Sequence, residues 1–569
     1  MNPLSWRLRS LEGYVPGPRQ VAITQRKKVT HVYYIDDLKL FAMSMKKFQM
    51  MFMTTLRCSN DMGLEFGLSK CGAGVAKGGK VITAPDLPLA SDATIEMYHG
   101  SSTYKFLGIE ESARFDRPRV IKDVMFIEAQ RLYLIWSSDL SGYYKIRATN
   151  SYAVMKSSYT MWTVHWNVAE KSEMDHMLRR IMVRNGACHP QMKRSYLFLS
   201  RRLGGRGLKS HELVYQANKI KMAVHLLNSN DPSLHLVAGI ETKKKDANIM
   251  DEAIRLAEDI DLTLMLDGDA QAMYTNDTGE WVEVDMQKPD QLKRAIDCLQ
   301  QRKLLNEVLA SNWQGQFIKM QRARGEVSDV SYAWLQWHNI PIELEVAIFE
   351  AQAQLLKTTV FDRVRGITTG EALCRGCGGA EENVPHILAG CPPFNFTYYL
   401  ERHNAALRPL YWWLRKTYKI DAEMKPWHAK VTPDPRCEND EICIWWDLPY
   451  YTNVKLEHNR VDMRVWLKRR GLYFLVEMCT PWDGNIAKQR ETKYTRYKPL
   501  AAELMLEFAD RATVKQVCLI MGALGTVEDL EGELNKIIGT KHEVRYVAER
   551  MQRGALSGTM RVLQRFKSM

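Results

Sequence analysis

Residues 29–41, VTHVYYIDDLKLF, place β-branched and aromatic runs on either side of two carboxylates, Asp36 and Asp37. This pattern predicts a strand, a tight turn that carries both aspartates, and a second strand. Adjacent carboxylates at a hairpin tip repel each other, and a divalent cation relieves the repulsion because Mg²⁺ prefers carboxylate oxygens and substrate phosphates. The pair is therefore a candidate catalytic magnesium site, with an ordinary Asp-rich turn as the alternative.

Two further segments follow this hairpin. Residues 63–71 read GLEFGLSKC, and residues 104–109 read YKFLGI. In order and spacing, the three segments resemble the palm of the reverse transcriptases of LINE-type (non-LTR) retrotransposons, with the last segment as the primer-gripping hairpin. The resemblance implies that Asp36 and Asp37 bind Mg²⁺ for catalysis and that Lys70 contacts nucleic acid near the leaving pyrophosphate. From chemistry alone, Lys70 is equally a solvated lysine.

The first residues of the chain, MNPLS, resemble the end of the preceding palm motif. In the family, that motif follows the fingers and a strand that bears a third metal-binding aspartate. Glu12 is the only acidic residue before Asp36. Because a magnesium site that lacks one of its carboxylates binds the ion poorly, we expect residues 1–569 alone not to polymerise DNA.

The composition favours well-packed domains and a polyanionic partner. The chain has 569 residues, of which 46% are hydrophobic, and a formal net charge of +13. This length allows about three to five domains, and the positive charge favours salt-dependent binding to nucleic acid, although a merely basic globular protein has the same charge. Eleven scattered cysteines and an N-terminus without an apolar leader indicate a reducing compartment, and no run is long enough to span a bilayer.

The middle of the chain is predicted to be helical. From about residue 126 to 227, apolar residues recur at three- and four-residue spacing, as in segments 146–165 and 171–184. This region resembles the family's thumb, and its aromatic residues are predicted to pack a helical core rather than stack on bases: Tyr152, Tyr159, Trp162 and Trp166. Residues 228–366 are predicted to be a mostly helical linker, in which segments 312–317, 334–337 and 350–354 resemble the helical linker of the family. The acidic stretch, 246–269, is predicted to be a solvated connector.

A glycine-rich segment interrupts the helical region. Residues 201–207 read RRLGGRG, which combines three arginines with a flexible backbone. Backbone amides and guanidinium groups in such a loop can approach phosphates closely. Arg201, Arg202 and Arg206 are therefore predicted to contact a nucleic-acid backbone, with a plain loop as the alternative. The segment lacks the spacing of a nucleotide-binding P-loop.

Cysteine and histidine residues at metal-ligand spacing follow the linker. Cys374, Cys377, His386 and Cys391 form the pattern Cys-x2-Cys-x8-His-x4-Cys. Two thiolates separated by two residues can hold one metal from a turn, and the later His and Cys can close the tetrahedron. Four protein ligands leave no open position, so the sequence predicts a structural zinc site, with a chance cluster of buried cysteines as the alternative. Nearby basic residues are candidate phosphate contacts: Arg375, Arg402, His403 and Lys416.

A second acidic pair lies in the last domain, which is predicted to open near Trp427. Two predicted strands, residues 459–467 and 472–479, carry Asp462 and Glu477 and are joined by the turn sequence RRG. If Arg469 and Arg470 form the turn, Asp462 pairs with Glu477. If Arg470 and Gly471 form it, Asp462 lies opposite Cys479 instead. Either register brings the two carboxylates together on one face, where they could hold Mg²⁺ and activate water.

This tract resembles the restriction-like endonuclease of site-specific non-LTR retrotransposons. The residues that carry the resemblance are Asp462, Glu477, the tripeptide Pro481-Trp482-Asp483 and, on a helix from about Ile486, Lys493-Tyr494, followed by a strand and glycine turn at 517–525. The resemblance implies that Asp462 and Glu477 are catalytic magnesium ligands and that Asp483 and Lys493 are catalytic, with Lys488 as the alternative lysine. Two positions depart from the family: Val461 replaces a proline, and Cys479 replaces a lysine.

The expected architecture is a multidomain α+β protein. The predicted divisions are a partial reverse-transcriptase palm at 1–110, a helical thumb at 111–227, a helical linker at 228–366, a zinc knuckle at 367–420 and a restriction-like endonuclease at 421–569. The resemblance implies a nuclear fragment of a polyprotein that copies an RNA template into DNA, primed at a nick in a double-stranded DNA target. In this fragment the polymerase half is expected to be incomplete, and the endonuclease is the candidate for activity, with structural Zn²⁺, catalytic Mg²⁺ or Mn²⁺ and no membrane partner. The alternative is a catalytically inactive or co-opted nucleic-acid-binding fragment.

Overall fold

The computed structural model describes residues 3–15, 28–65, 67, 70–77, 80–88, 94–99, 103–111, 116–242, 248–323, 325, 329–420 and 431–569. Helices predominate and the sheets are small, so the protein is α+β, as the sequence predicts. Some positions used in the sequence predictions lie outside the described residues: Met1, Asn2, Phe66, Leu68, Ser69 and Trp427. Across the ranges given above, the structure contains no helix with both the length and the apolar character needed to cross a membrane.

The elements are numbered in chain order. The helices are α1 (Pro3–Arg9), α2 (Met45–Asp61), α3 (Arg117–Ser137), α4 (Gly142–Ala148), α5 (Val154–Met161), α6 (Val168–Arg184), α7 (Arg194–Phe198), α8 (His211–Asn228), α9 (Pro232–Glu241), α10 (Ile249–Glu258), α11 (Pro289–Leu309), α12 (Gln316–Arg322), α13 (Ile342–Gln352), α14 (Thr359–Val364), α15 (Val384–Ala389), α16 (Leu400–Thr417), α17 (Ile486–Glu507), α18 (Leu530–Ile537) and α19 (Lys541–Lys567). The strands are β1 (His31–Tyr34), β2 (Asp37–Leu40), β3 (Gly72–Ala73), β4 (Val75–Lys77), β5 (Lys80–Ile82), β6 (Leu87–Pro88), β7 (Thr94–Met97), β8 (Tyr104–Phe106), β9 (Ile109–Glu111), β10 (Leu262–Met265), β11 (Gln271–Thr275), β12 (Trp281–Glu283), β13 (Arg436–Glu438), β14 (Ile442–Trp446), β15 (Met463–Leu467), β16 (Leu472–Cys479) and β17 (Thr513–Ile520).

The chain divides into two compact units, each assembled from three stretches of sequence. Unit 1 contains Met1–Arg131, Tyr152–Asp175 and Ser210–Gln300. Unit 2 contains Leu132–Ser151, His176–Lys209 and Gln301–Met569. The five predicted domain boundaries remain predictions.

In unit 1, β1 and β2 form the hairpin predicted from residues 29–41. Tyr34 pairs with Asp37, so the turn is formed by Ile35 and Asp36, one position earlier than predicted, and Asp37 begins β2. The other turn residue, Ile35, has a positive φ of 53°, which is unusual for a β-branched residue. Both aspartates are exposed at the hairpin tip.

Residues 262–283 of unit 1 form a three-stranded antiparallel sheet, β10-β11-β12, within the region 228–366 that the sequence predicted to be mostly helical. The first strand begins inside the acidic stretch 246–269, which was predicted to be a solvated connector. Burial alternates along β10, and its inward residues, Leu262 and Leu264, pack in one core with Ala253 and Ala257 of α10. The prediction of a solvated connector was wrong, because small and aliphatic residues between the exposed acidic residues build a core.

Unit 2 contains a five-stranded sheet in the order β13-β14-β15-β16-β17. The first four strands are antiparallel, and β17 pairs in parallel with β16 after the crossover helix α17. Side chains alternate between the two faces of the sheet. Phe474 and Val476 therefore pack in the core with α16, α18 and α19, whereas Tyr473 and Leu475 pack against α17.

Helix α16 is covered by the last helix, α19. An apolar face of α16 between residues 406 and 414 shares one core with residues 544–555 of α19. The two helices approach closely at Gly554, where an added Cβ would lie 2.1 Å from the carbonyl oxygen of Ala405. Only glycine fits at that crossing without a shift of the backbone.

Candidate metal centre and acidic site

The four predicted zinc ligands meet in unit 2. The ligand atoms of Cys374, Cys377, His386 and Cys391 all lie within 4.8 Å of one another, and within the described residues they are the one such cluster. The Sγ atoms of Cys374 and Cys391 are 3.8 Å apart, and Cys377 Sγ is 3.4 Å from His386 Nε2. Tetrahedral zinc with sulfur at about 2.3 Å and nitrogen at about 2.0 Å requires separations of about 3.8 and 3.5 Å. The donors therefore fit Zn²⁺.

A tight turn and a capped helix bring these ligands together. The Gly378 N–H donates to the Cys374 carbonyl at 2.7 Å, and a φ of 65° at Gly378 lets the chain reverse after the first two ligands. Asn383 caps α15, and its side-chain oxygen accepts the His386 N–H at 2.8 Å. The Gly376 N–H points at Cys374 Sγ, 3.4 Å away, which suits a thiolate acceptor.

The ionisation of the ligands depends on whether a cation is bound. Burial and the neighbouring Cys374 raise the pKa of the Cys391 thiol to about 12. A backbone hydrogen bond from Gly379 lowers the pKa of Cys377, and burial lowers the pKa of His386, which keeps its imidazole neutral. A coordinated metal deprotonates thiols outright. The buried sulfurs therefore become thiolates when a cation is bound.

Arg375, predicted as a phosphate contact, is held by a buried acid. Its guanidinium lies 2.6 Å from a carboxylate oxygen of Glu382, which is fully buried, and it also donates to the Lys357 carbonyl. Glu382 further accepts the Thr359 N–H at 3.0 Å. Arg375 thus fastens the metal-binding turn to the residues before α14, and the structure gives no support to a free phosphate-binding role.

Asp462 and Glu477 lie opposite each other at the ends of β15 and β16. Met463 pairs with Val476, so of the two predicted registers the structure has the one that sets Asp462 against Glu477. The Asp462 N–H donates to Glu477 Oε1 at 3.2 Å, and the Met478 N–H donates to Asp462 Oδ2 at 2.7 Å. The pair is therefore built into the strands rather than placed on a mobile loop.

The second turn of α17 supplies a lysine to this pair. Lys493 Nζ lies 2.6 Å from Glu477 Oε2, and only 4% of the Glu477 side chain is exposed. Lys488, the alternative lysine, is exposed. One turn further along α17, the Tyr497 hydroxyl donates to the Arg460 carbonyl at 3.0 Å and so holds the entry to β15.

His403 completes the group, although the sequence predicted for it only a phosphate contact. Its Nε2 lies 3.1 Å from Asp462 Oδ2 and 3.1 Å from the Met478 carbonyl oxygen. No local pattern links a histidine at 403 to an aspartate at 462, because they meet only when α16 packs beside the sheet. Arg402, its neighbour, is buried and hydrogen-bonded to backbone, so its predicted phosphate contact is wrong.

Burial and mutual charge shift the pKa values in this group. Burial and the Asp462 carboxylate raise the pKa of Glu477 to about 7. Burial opposes ionisation of Asp462, but His403 and Lys493 outweigh it and hold the pKa of Asp462 below its usual range. Burial opposes protonation of His403, but Asp462 raises its pKa to about 9. Two acids and two cations thus share one small, desolvated site.

Asp483, predicted to be catalytic, has a different position. It is fully buried, and its two oxygens accept the backbone N–H groups of Leu524 at 2.9 Å and Thr526 at 3.1 Å. Burial raises the pKa of Asp483. The predicted catalytic role is therefore wrong, because this carboxylate fastens the turn after β17 and is closed to substrate.

Two of the three arginines in the 201–207 segment are also structural. Arg201 and Arg206 are buried and share the buried carboxylate of Glu345, at 2.8 and 2.9 Å. Arg206 also donates to the Ala187 carbonyl at 2.9 Å. Their predicted contact with nucleic acid is wrong, since phosphates cannot reach them. Arg202 is exposed, and its predicted role remains a prediction.

The palm-like residues of unit 1 are exposed. Asp36, Asp37 and Lys70 all lie on the surface. Just beyond the aspartates, Lys39 forms an ion pair with Glu111 and lies 5.0 Å from the ring centroids of Tyr104 and Phe106. These contacts fasten the first hairpin to the predicted primer-gripping hairpin, β8-β9. No third acidic, histidine or cysteine ligand joins Asp36 and Asp37 among the described residues.

In sequence comparisons, no protein-family model matches this chain, and no curated protein matches it significantly.

Proposed function

We propose that this chain derives from a non-LTR retrotransposon polyprotein and that its C-terminal region is a metal-dependent DNA endonuclease. One observation carries the proposal. Asp462 and Glu477 lie directly opposite each other on adjacent strands, with Lys493 2.6 Å from Glu477. Restriction-type nucleases use two acids and a lysine for phosphodiester hydrolysis, and they place them beside a mixed sheet. Here the last strand of the sheet is parallel to its neighbour, and the lysine lies on the crossover helix.

Each residue of the group has a distinct task in hydrolysis. Asp462 and Glu477 would hold Mg²⁺ or Mn²⁺, which supplies Lewis-acid activation of water. Lys493 carries a positive charge that can stabilise the negative charge developing on the scissile phosphate. The strand backbone fixes both acids through hydrogen bonds from Asp462 N–H and Met478 N–H, so little reorganisation is needed during the reaction.

The Cys3His cluster fits a structural zinc knuckle beside this endonuclease. All four donors come from the protein, which leaves no open position for a substrate. Zinc would cross-link the short segment between α14 and α16 through its four ligands. We propose that this segment belongs to the nucleic-acid-binding part of the protein, consistent with the formal net charge of +13.

A nicking assay on supercoiled plasmid with Mg²⁺ or Mn²⁺ tests the endonuclease. We predict that Asp462→Asn, Glu477→Gln and Lys493→Met each reduce nicking by at least about 100-fold, because each removes a group that acts on the metal or the phosphate. Lys488→Met and Asp510→Asn remove an exposed lysine and an exposed acid of the same domain and should nick like the wild type.

The outcomes separate the proposed function from its alternative. Equal nicking by wild type and Asp462→Asn would remove this site from the mechanism. DNA binding without nicking in every metal would instead favour a co-opted nucleic-acid-binding protein.

The hairpin at Asp36 and Asp37 favours a second proposed activity, RNA-templated DNA synthesis. Its support is an exposed acid pair at the tip of a hairpin that is fastened to β8-β9 through Lys39. Because no third ligand joins the pair within the described residues, we predict primer extension by the chain alone to be at background level. Mn²⁺-dependent extension that Asp36→Asn abolishes would contradict this prediction.

A further inference from the structure

We propose that Arg402 and His403 connect the Cys3His cluster to the acidic pair, so that metal at the cluster sets the metal affinity of Asp462 and Glu477. The inference rests on the proposed endonuclease. It names His403 as a positioning residue for Asp462, and it makes the zinc knuckle a support for the nuclease site rather than only a separate binding module.

The connection begins at the zinc ligands. Tyr399, just before α16, donates its hydroxyl to the Ile387 carbonyl at 2.6 Å and accepts the Cys391 N–H at 3.2 Å. Ile387 lies in α15, which also carries His386. The start of α16 is thus hydrogen-bonded to the backbone of one zinc ligand and to the helix of another.

Arg402 forms the next step. Its guanidinium is 1% exposed and donates to the Leu388 carbonyl in α15 at 2.8 Å. The same guanidinium donates to the Thr480 carbonyl at 2.9 Å and to the Thr480 hydroxyl at 3.1 Å. Thr480 directly follows β16, the strand of Glu477. One buried side chain therefore bridges the zinc-binding helix and the end of the nuclease strand.

His403 completes the connection at the acid itself. Its Nε2 lies 3.1 Å from both Asp462 Oδ2 and the Met478 carbonyl oxygen, so this nitrogen carries the hydrogen and donates to both. Asp462 Oδ2 also accepts the Met478 N–H at 2.7 Å. Two donors from the protein converge on Oδ2 and so fix the orientation of the Asp462 carboxylate. Partners of this kind orient metal ligands and raise their affinity.

The consequence is a defined effect of zinc on a distant site. Without zinc, the four ligands lose their common cross-link, and α15 no longer holds Tyr399 and Arg402 in place. His403 then shifts away from Asp462, and the Asp462 carboxylate becomes free to rotate. Loss of such an orienting partner typically weakens metal binding about 10- to 100-fold.

Titration of the full, zinc-loaded chain with Mn²⁺, followed by electron paramagnetic resonance, tests this connection. The binding that Asp462→Asn removes defines the acidic site. We expect His403→Leu to weaken binding at that site about 10- to 100-fold with zinc content unchanged, and His403→Gln, which keeps a donor, to restore most of the affinity. His542→Leu, an exposed histidine of α19, serves as the control. Cys377→Ser should lower Mn²⁺ affinity similarly although His403 is intact.

The results distinguish this inference from the proposed endonuclease. If Asp462→Asn leaves Mn²⁺ binding and nicking unchanged, the proposed site itself fails. If Asp462→Asn abolishes both, while His403→Leu binds Mn²⁺ like wild type, only the connection is wrong. If circular dichroism shows that Cys377→Ser does not fold, the Mn²⁺ affinities of His403→Leu and His403→Gln alone test the connection. Unchanged affinity in a folded Cys377→Ser variant would also overturn the connection.

Discussion

His211 of α8 lies between two buried carboxylates of unit 1. Its Nε2 is 2.5 Å from Glu128 Oε1, and its Nδ1 is 2.7 Å from Asp175 Oδ1. The three residues come from α3, α6 and α8, so a single charged group fastens three helices. Removing one partner of a buried ion pair typically costs about 3–5 kcal/mol, since the remaining charge stays desolvated. The sequence did not reveal this role because the three positions are far apart along the chain.

We predict that His211→Gln flattens the pH dependence of unfolding of unit 1. Burial opposes protonation of His211, but Glu128 and Asp175 outweigh it and raise its pKa from 6.5 to about 10. A folded pKa above the unfolded value stabilises the fold fully below pH 6.5, and this contribution is lost as the pH rises toward 10. Urea midpoints across this pH range should therefore fall more steeply for wild type than for the variant. Parallel declines would contradict the prediction.

Several charged residues that the sequence predicted to be functional are structural instead. Arg201, Arg206 and Asp483 have side chains that bind nucleic acid or metal when exposed, and each is buried here against a partner far along the chain. Arg201, for example, meets Glu345 across 144 residues. By contrast, Asp462 and Glu477 were predicted correctly as neighbours because a short hairpin fixes their pairing locally.

At the scale of elements, local patterns predicted what local physics determines. The β1-β2 and β15-β16 hairpins, helix α17 and the metal-binding turn depend on residues within about 20 positions of each other, so alternation and spacing identified them. The β10-β11-β12 sheet was missed because its strands are only three to five residues long. Some of its apolar partners lie on α8, outside the reach of a local pattern.

The segment between α14 and α16 is the element for which a metal matters most. It contains short helices and turns, and its ligands are held by backbone hydrogen bonds rather than by a sheet. We predict about one zinc per full-length chain after purification without chelator, measured by plasma emission spectrometry. Cys374→Ser should lose most of the zinc, because three remaining ligands bind it weakly.

The matched control for this zinc prediction is Cys298→Ser, which replaces an exposed cysteine of α11. It should retain the metal. In addition, a chelator should lower the melting temperature of wild type but not of Cys374→Ser, since a ligand that binds only the folded state stabilises it. Equal zinc content in both cysteine variants would show that the cluster does not hold the ion.

At the scale of the whole molecule, the α+β class follows from the patterns of helices and strands, and the length allows more than one structural unit. The division into two units cannot be inferred in this way, because each unit is assembled from three separate stretches of sequence. Which stretches join one unit depends on packing between segments that are far apart in sequence, and local sequence patterns give little information about such packing.

The cover of α16 by α19 has a consequence during synthesis. The face of α16 between residues 406 and 414, which includes Tyr411, Trp412 and Trp413, leaves the ribosome more than a hundred residues before its partners at 544–555. Until then, a row of large apolar side chains has no complete cover. Exposed surface of this kind is where newly made chains aggregate or recruit chaperones. Helix α19 therefore has to be made before this face of α16 can be fully buried.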